Sequence, residues 1–172
     1  QIDSLLRYPG SKQIKPRLAE CAAWLAGLSP AFLQRLIKDD PGILLRADGG
    51  TFSDDDKSQI TQALLLALDQ RKIRINAPGF RAGYKKLAHE GIAVCITPYI
   101  TDSSHNSVVR RIAIEIAEEC LVEEMSKALV SVALDKLDDL IVRQRAIHAL
   151  LALEPDEHRS KLLALLEDAD AN

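Results

Sequence analysis

The sequence predicts an all-α chain, with an irregular helical module first and an α-solenoid after it. Three observations carry this. Only 4% of the residues are aromatic, while Leu, Ile and Ala abound, a mix that suits helices better than strands. Apolar residues recur at i, i+3, i+4 and i+7 in several segments, the period of an amphipathic helix. The stretch "SVVRRIAIEIA" from Ser107 is nearly rewritten 33 positions later as "LIVRQRAIHAL" from Leu140, and a fixed period of this length marks stacked helical units.

Residues 1–15 are polar and broken by Pro9-Gly10, which reads as a linker. Pro16 suits a helix start, where its missing N–H costs nothing. The helix that follows, "RLAECAAWLAGL", is expected to bury Leu18, Cys21, Ala22 and Leu25. Ser29-Pro30 reads as N-cap and first helical residue of "PAFLQRLIKDD". "DPGILLRADGG" gives one short helical turn between breakers. Ser53 caps the next helix, and Asp54, Asp55 and Asp56 sit at its positive dipole end. Ile60, Ala63, Leu64, Ala67 and Leu68 form its apolar stripe. Short helices are expected around Phe80–Ala88 and Gly91–Ile100, with the end of the second left open by Pro98. Residues 16–100 thus read as one helical module.

From residue 101 the pattern is regular. Val109, Ile112, Ala113, Ile116, Ala117 and Cys120 line one side of a helix, and Val108 and Ile114 add a second apolar side. A helix apolar on two sides is sandwiched between neighbours. Leu121, Val122, Met125, Leu129 and Val132 make the next helix, and then the cycle recurs. Asp102 pairs with Asp135, Val109 with Val142, Arg110 with Arg143 and Ala113 with Ala146, all 33 apart, and Asp168 continues the Asp series. A final helix is expected at 156–167, with some of Leu162, Leu163, Leu165 and Leu166 exposed, so that this end either self-associates or frays. Residues 101–172 read as a truncated array.

The Asp…Val-Arg-x-x-Ala pattern resembles the HEAT-like class of helical repeat. That resemblance implies that the small Ala lets helices approach, and that Arg and Asp form a structural ladder of Asp102, Arg110, Asp135 and Arg143. A wider string of segments is similar to the helical region downstream of the nucleotide-binding domain in large bacterial NACHT-like, STAND-type signalling ATPases, several of which act in phage defence. It runs "ECAAWLAGLSPAFLQRLIKDDPGILLRADGGTFSDDDKSQITQALLLAL", then "KKLAHEGIAVCITPYI", then "VVRRIAIEIAEECLV". The resemblance implies a non-catalytic scaffold that senses or relays the binding of a protein partner, or of other domains of a parent chain. Neither "YPGSK" nor "GYKK" fits the phosphate-binding loop of an ATPase.

The alternative function is nucleic-acid binding. Residues 71–89 hold six cations and no Asp or Glu: Arg71, Lys72, Arg74, Arg81, Lys85 and Lys86. With Phe80 and Tyr84 interleaved, phosphate contact and base stacking are both conceivable. The same run also suits a solvated loop or a face against another domain. An enzyme on a helical scaffold is the third reading and the weakest, because the second half is acidic.

Charge is uneven. Residues 1–100 carry 14 Lys/Arg against 10 Asp/Glu, and residues 101–172 carry 8 against 15. No cofactor or metal site is expected. Asp54–Asp56 lacks the Gly and spaced Glu of a calcium loop. His89, His105, His148 and His158 show no metal-ligand spacing, and no GxSxG nucleophile motif occurs. Cys21, Cys95 and Cys120 are too few and too scattered for a disulfide framework. They read as reduced, mostly buried thiols in a cytoplasmic protein. No apolar run is long enough to span a membrane. The only methionine is Met125, and the chain starts with Gln1, which reads as a piece of a longer polypeptide.

Overall fold

A computed structural model describes residues 2–47, 52–73 and 80–153. The protein is all-α: helix covers 75% of the described residues, and among them the only β feature is an isolated bridge between Arg7 and Ile14. Two compact units divide at Glu90/Gly91. The boundary read from the sequence at residue 100 therefore lies ten residues too late. The reason is packing, because the helix after Gly91 pairs with the helix that follows it.

The first unit starts with α1 (Ile2–Leu6). The segment read as a linker is in fact folded. Gly10, at a φ of +74°, turns the chain back, with the Ser11 N–H on the Tyr8 carbonyl. Leu6 and Ile14 are buried, and Arg7 reaches Asp39 at 3.2 Å. Next to it, burial pushes the Asp40 carboxyl above its ordinary range, against the opposing Ile14 N–H bond.

Pro16 opens a single 3-10 turn that leads into α2 (Ala19–Leu28). Its buried face is Ala19, Ala22, Ala23 and Ala26, whereas Cys21 is exposed. Small side chains let this helix lie close to its neighbours, so the face turns by a fraction of a turn from the leucine-centred one expected. The view of the cysteines as mostly buried fails with it, since Cys95 and Cys120 are half-buried.

Ser29 caps α3 (Pro30–Asp39) as the sequence predicts, accepting from Phe32 N–H. A 3-10 stretch, Pro41–Arg46, follows. The Ser53 side chain then caps α4 (Asp54–Asp69), and Asp56 answers with a bond to the Ser53 N–H, which completes a capping box. Ser53→Ala is expected to lower stability by about 1 kcal/mol, read as a shift in a urea midpoint at unchanged slope. Ile60, Leu64 and Leu68 are buried along α4. The unit ends with α5 (Phe80–Tyr84) and a 3-10 turn at Lys85–Leu87.

The second unit has α6 (Ile92–Thr101), α7 (Ser107–Glu119), α8 (Ser126–Leu134) and α9 (Leu140–Leu153). Pro98 does not end α6, which continues to Thr101. It removes only its own N–H, the donor that would meet the Val94 carbonyl, and the helix continues through that one missing bond. The helices form two hairpins, α6–α7 and α8–α9, stacked so that α7 packs on α9 and α6 on α8.

Ile112, Ala113, Ile114, Ile116 and Ala117 are all buried, as the two-sided pattern of α7 requires, while Val108 is exposed. Leu121 and Val122 fall outside α8. Leu121 takes a left-handed φ of 53°, with Val122 N–H on Ala117 O, so they close α7 in a Schellman turn. The expected helix 156–167 lies outside the described residues.

Candidate functional site

The residues singled out by the 33-residue step meet in the second unit. Each hairpin turn is built the same way. Asp102 accepts the Ser104 N–H at 2.8 Å, and Asp135 accepts the Leu137 N–H at 3.0 Å. Asn106 accepts the Val109 N–H at 3.0 Å, and Asp139 the Val142 N–H at 3.4 Å. Arg110 donates to the Ile100 carbonyl at 3.1 Å, and Arg143 donates to the Ala133 carbonyl at 3.3 Å. Each arginine thus satisfies an end carbonyl of the preceding helix, a group with no partner inside that helix.

Arg110 also crosses to the other hairpin. Its guanidinium forks onto both oxygens of Asp138, at 2.6 Å on the Nη2 side. The pair is well shielded, with side chains only 3% and 5% exposed. The Arg110 hydrogen bonds hold the Asp138 carboxyl below its usual range against the opposing effect of burial, and the Asp139 N–H adds to this. Arg145 of α9 reaches back to Glu118 and, at 3.7 Å, to Glu115 of α7. The hairpins are therefore tied by charge as well as by apolar packing.

Asp102 and Asp135 are not the carboxylates of a ladder. Both are exposed, with an oxygen committed to a turn N–H. The Ser104 N–H, as the main cause, holds the Asp102 carboxyl below its ordinary range. The carboxylate that matters, Asp138, occupies the place held by His105 in the first hairpin. The period could not reveal it, because the residue at that place changes from one hairpin to the next.

In the first unit the basic stretch is only partly available. Arg71, Lys72, Arg81 and Lys85 are exposed, and Arg74 lies outside the described residues. Lys86 donates to the Ala47 carbonyl at 2.6 Å. Tyr84 is 1% exposed, so its ring belongs to the core and cannot stack on a base. Gly83 makes this possible: a Cβ there would come within 2.9 Å of the Leu45 carbonyl oxygen.

Lys85 and Lys86 border an open cleft of about 430 Å³ that Arg46, Glu20 and Phe80 also line. Three cations against one carboxylate make it attractive to small anions. Arg46 and Glu20 were missed in the sequence, because nothing local links them to Lys85, 39 and 65 residues further on.

Among the described residues no group of three His, Cys, Asp or Glu is placed to hold a metal. Asp56 belongs to the cap, Asp55 accepts from Gln59 at 2.7 Å, and Asp54 faces Lys57 at 3.7 Å. His89 bonds the Leu87 carbonyl at 2.7 Å, and His105 lies against Tyr99 with centroids 4.6 Å apart. His148 is exposed, and His158 lies outside the described residues. No described helix is long and apolar enough to cross a membrane.

No family model, no curated protein and no solved structure matches the chain.

Proposed function

We propose that the chain is a non-catalytic helical scaffold of a larger signal-transduction ATPase, HEAT-like in its second unit, that senses a protein partner or relays its binding. The supporting observation is the pair of stacked hairpins. They share turn, cap and arginine bonds at a 33-residue step, and the Arg110–Asp138 fork joins one to the next. A stack linked in this way carries a displacement at one hairpin to its neighbour, because packed and ion-paired elements move as bodies. Phage defence is the setting that the sequence resemblance suggests. Nucleic-acid binding remains the alternative, but Tyr84 cannot supply stacking, which leaves the exposed cations and the half-buried Phe80 to support it.

Two measurements test the proposal. The isolated chain should release phosphate from ATP no faster than a protein-free blank. The reading frame of the gene should contain a phosphate-binding loop upstream of this chain. Magnesium-dependent turnover by the isolated chain removes the scaffold reading, and a complete frame without such a loop removes its ATPase part.

A further inference from the structure

We propose that the turn between α8 and α9 is a docking edge for a basic amphipathic helix of a partner protein. The inference deepens the scaffold reading and rests on it. Leu134, Leu137, Leu140 and Ile141 fall within eight residues, and all are exposed, Leu137 at 98%. Single exposed leucines are ordinary, but an exposed apolar cluster rimmed by charge marks a contact surface.

The molecule carries its own control. The α6–α7 turn is made by the same bonds 33 residues earlier. Its matching places hold Thr101, Ser104, Ser107 and Val108. The turn geometry is thus satisfied by small polar residues, and three leucines in the second copy serve something other than the turn. Val108, at the place of Ile141, is itself 48% exposed. Both are the second residue of their helices, α7 and α9, which pack on each other. The first hairpin thus offers one exposed apolar residue at the matching place, and the second offers four.

The rim selects the partner. Asp135 and Asp139 are exposed among these leucines, and Asp102 is exposed at the matching turn of the first hairpin, against Lys136. That sign repels nucleic acid and anionic membrane, and it attracts Lys and Arg. A helix with apolar side chains at i, i+3, i+4 and i+7 spreads them over about 10 Å. Leu134, Leu137, Leu140 and Ile141 offer such side chains an apolar surface, and basic flanks then face the exposed carboxylates. Helix-in-groove recognition uses the same spacing.

The probe is a synthetic leucine–lysine peptide patterned as an amphipathic helix, with a second peptide carrying Glu at each Lys position. Both are titrated by fluorescence anisotropy against the 172-residue chain. The triple variant Leu134→Thr, Leu137→Ser, Leu140→Ser carries the side chains of the first turn and should keep the circular dichroism of the parent. It is expected to bind the basic peptide about tenfold more weakly or worse, a factor well resolved in a titration. Leu137→Asn, an uncharged polar change at a side chain wholly in water, is the second variant and should weaken binding in the same direction.

The acidic peptide should bind at least about tenfold more weakly than the basic one at low salt, with the gap closing as salt screens the rim. Undiminished binding by both variants, or equal binding of both peptides, overturns the proposal. The scaffold reading fails separately, on ATP turnover by the isolated chain, which leaves the docking result untouched.

Discussion

Asp138→Ala should destabilise the second unit by about 3–5 kcal/mol, the cost of leaving a buried charge without its partner. Arg110 is 3% exposed and would keep the Ile100 carbonyl as its polar contact from the preceding helix. Urea unfolding at neutral pH, followed by circular dichroism, measures the loss. Asp102→Ala, at an exposed carboxylate, should lose far less. A loss at Asp138 no larger than that at Asp102 would mean that the fork is worth no more than a surface pair.

The pH dependence has a definite sign. Asp138 has a lowered value in the fold, so its contribution is complete above the unfolded value of about 3.9. It disappears as pH falls through the lower folded value. Asp40 runs the other way. Its raised value means that its charge opposes folding at neutral pH, and the opposition is relieved as pH falls through that raised value. Asp138→Asn should therefore flatten the acid limb of the stability curve, whereas Asp40→Asn should raise stability at neutral pH.

Tyr84→Ala should cost the first unit about 3–5 kcal/mol, as expected for emptying a buried aromatic site. Tyr84→Phe keeps the ring and should cost about 1 kcal/mol. Lys85→Glu, at an exposed side chain, should stay within about 0.5 kcal/mol of the parent. Thermal or urea unfolding reads all three. The series also bears on nucleic-acid binding. Any loss of binding in Tyr84→Ala must be compared with its loss of folded protein, whereas Lys85→Glu reports on the charge alone. A fully stable Tyr84→Ala protein would contradict the buried placement of the ring.

What the sequence made legible was mostly local or periodic chemistry. Ser29 and Ser53 could be named as caps because a cap needs only a hydroxyl and the N–H three residues on. The helical hairpins could be read because their core positions recur. What escaped depends on contacts across the chain. The step of 33 shows that Arg110 and Arg143 are equivalent, but it does not say which carboxylate either one reaches. Asp102 and Asp135 looked like partners because they recur, yet they recur because each hairpin needs the same turn bond. Tyr84 looked accessible because lysines follow it. Its burial depends on Gly83 meeting Leu45, a contact between segments far apart in sequence. Pro9-Gly10 looked like a break, and the same two residues fold the N-terminal segment back on itself.

The paired bonds from Arg110 to Ile100 and from Arg143 to Ala133 set a rule for how such a chain can change in length. Each arginine must stand ten residues beyond the carbonyl it satisfies, so a single codon gained or lost in that interval turns the donor away from its acceptor. Duplicating or deleting a whole unit of 33 residues leaves every donor opposite its acceptor. Related genes should therefore differ in this region by whole multiples of that unit, with small insertions confined to stretches outside the ten-residue interval.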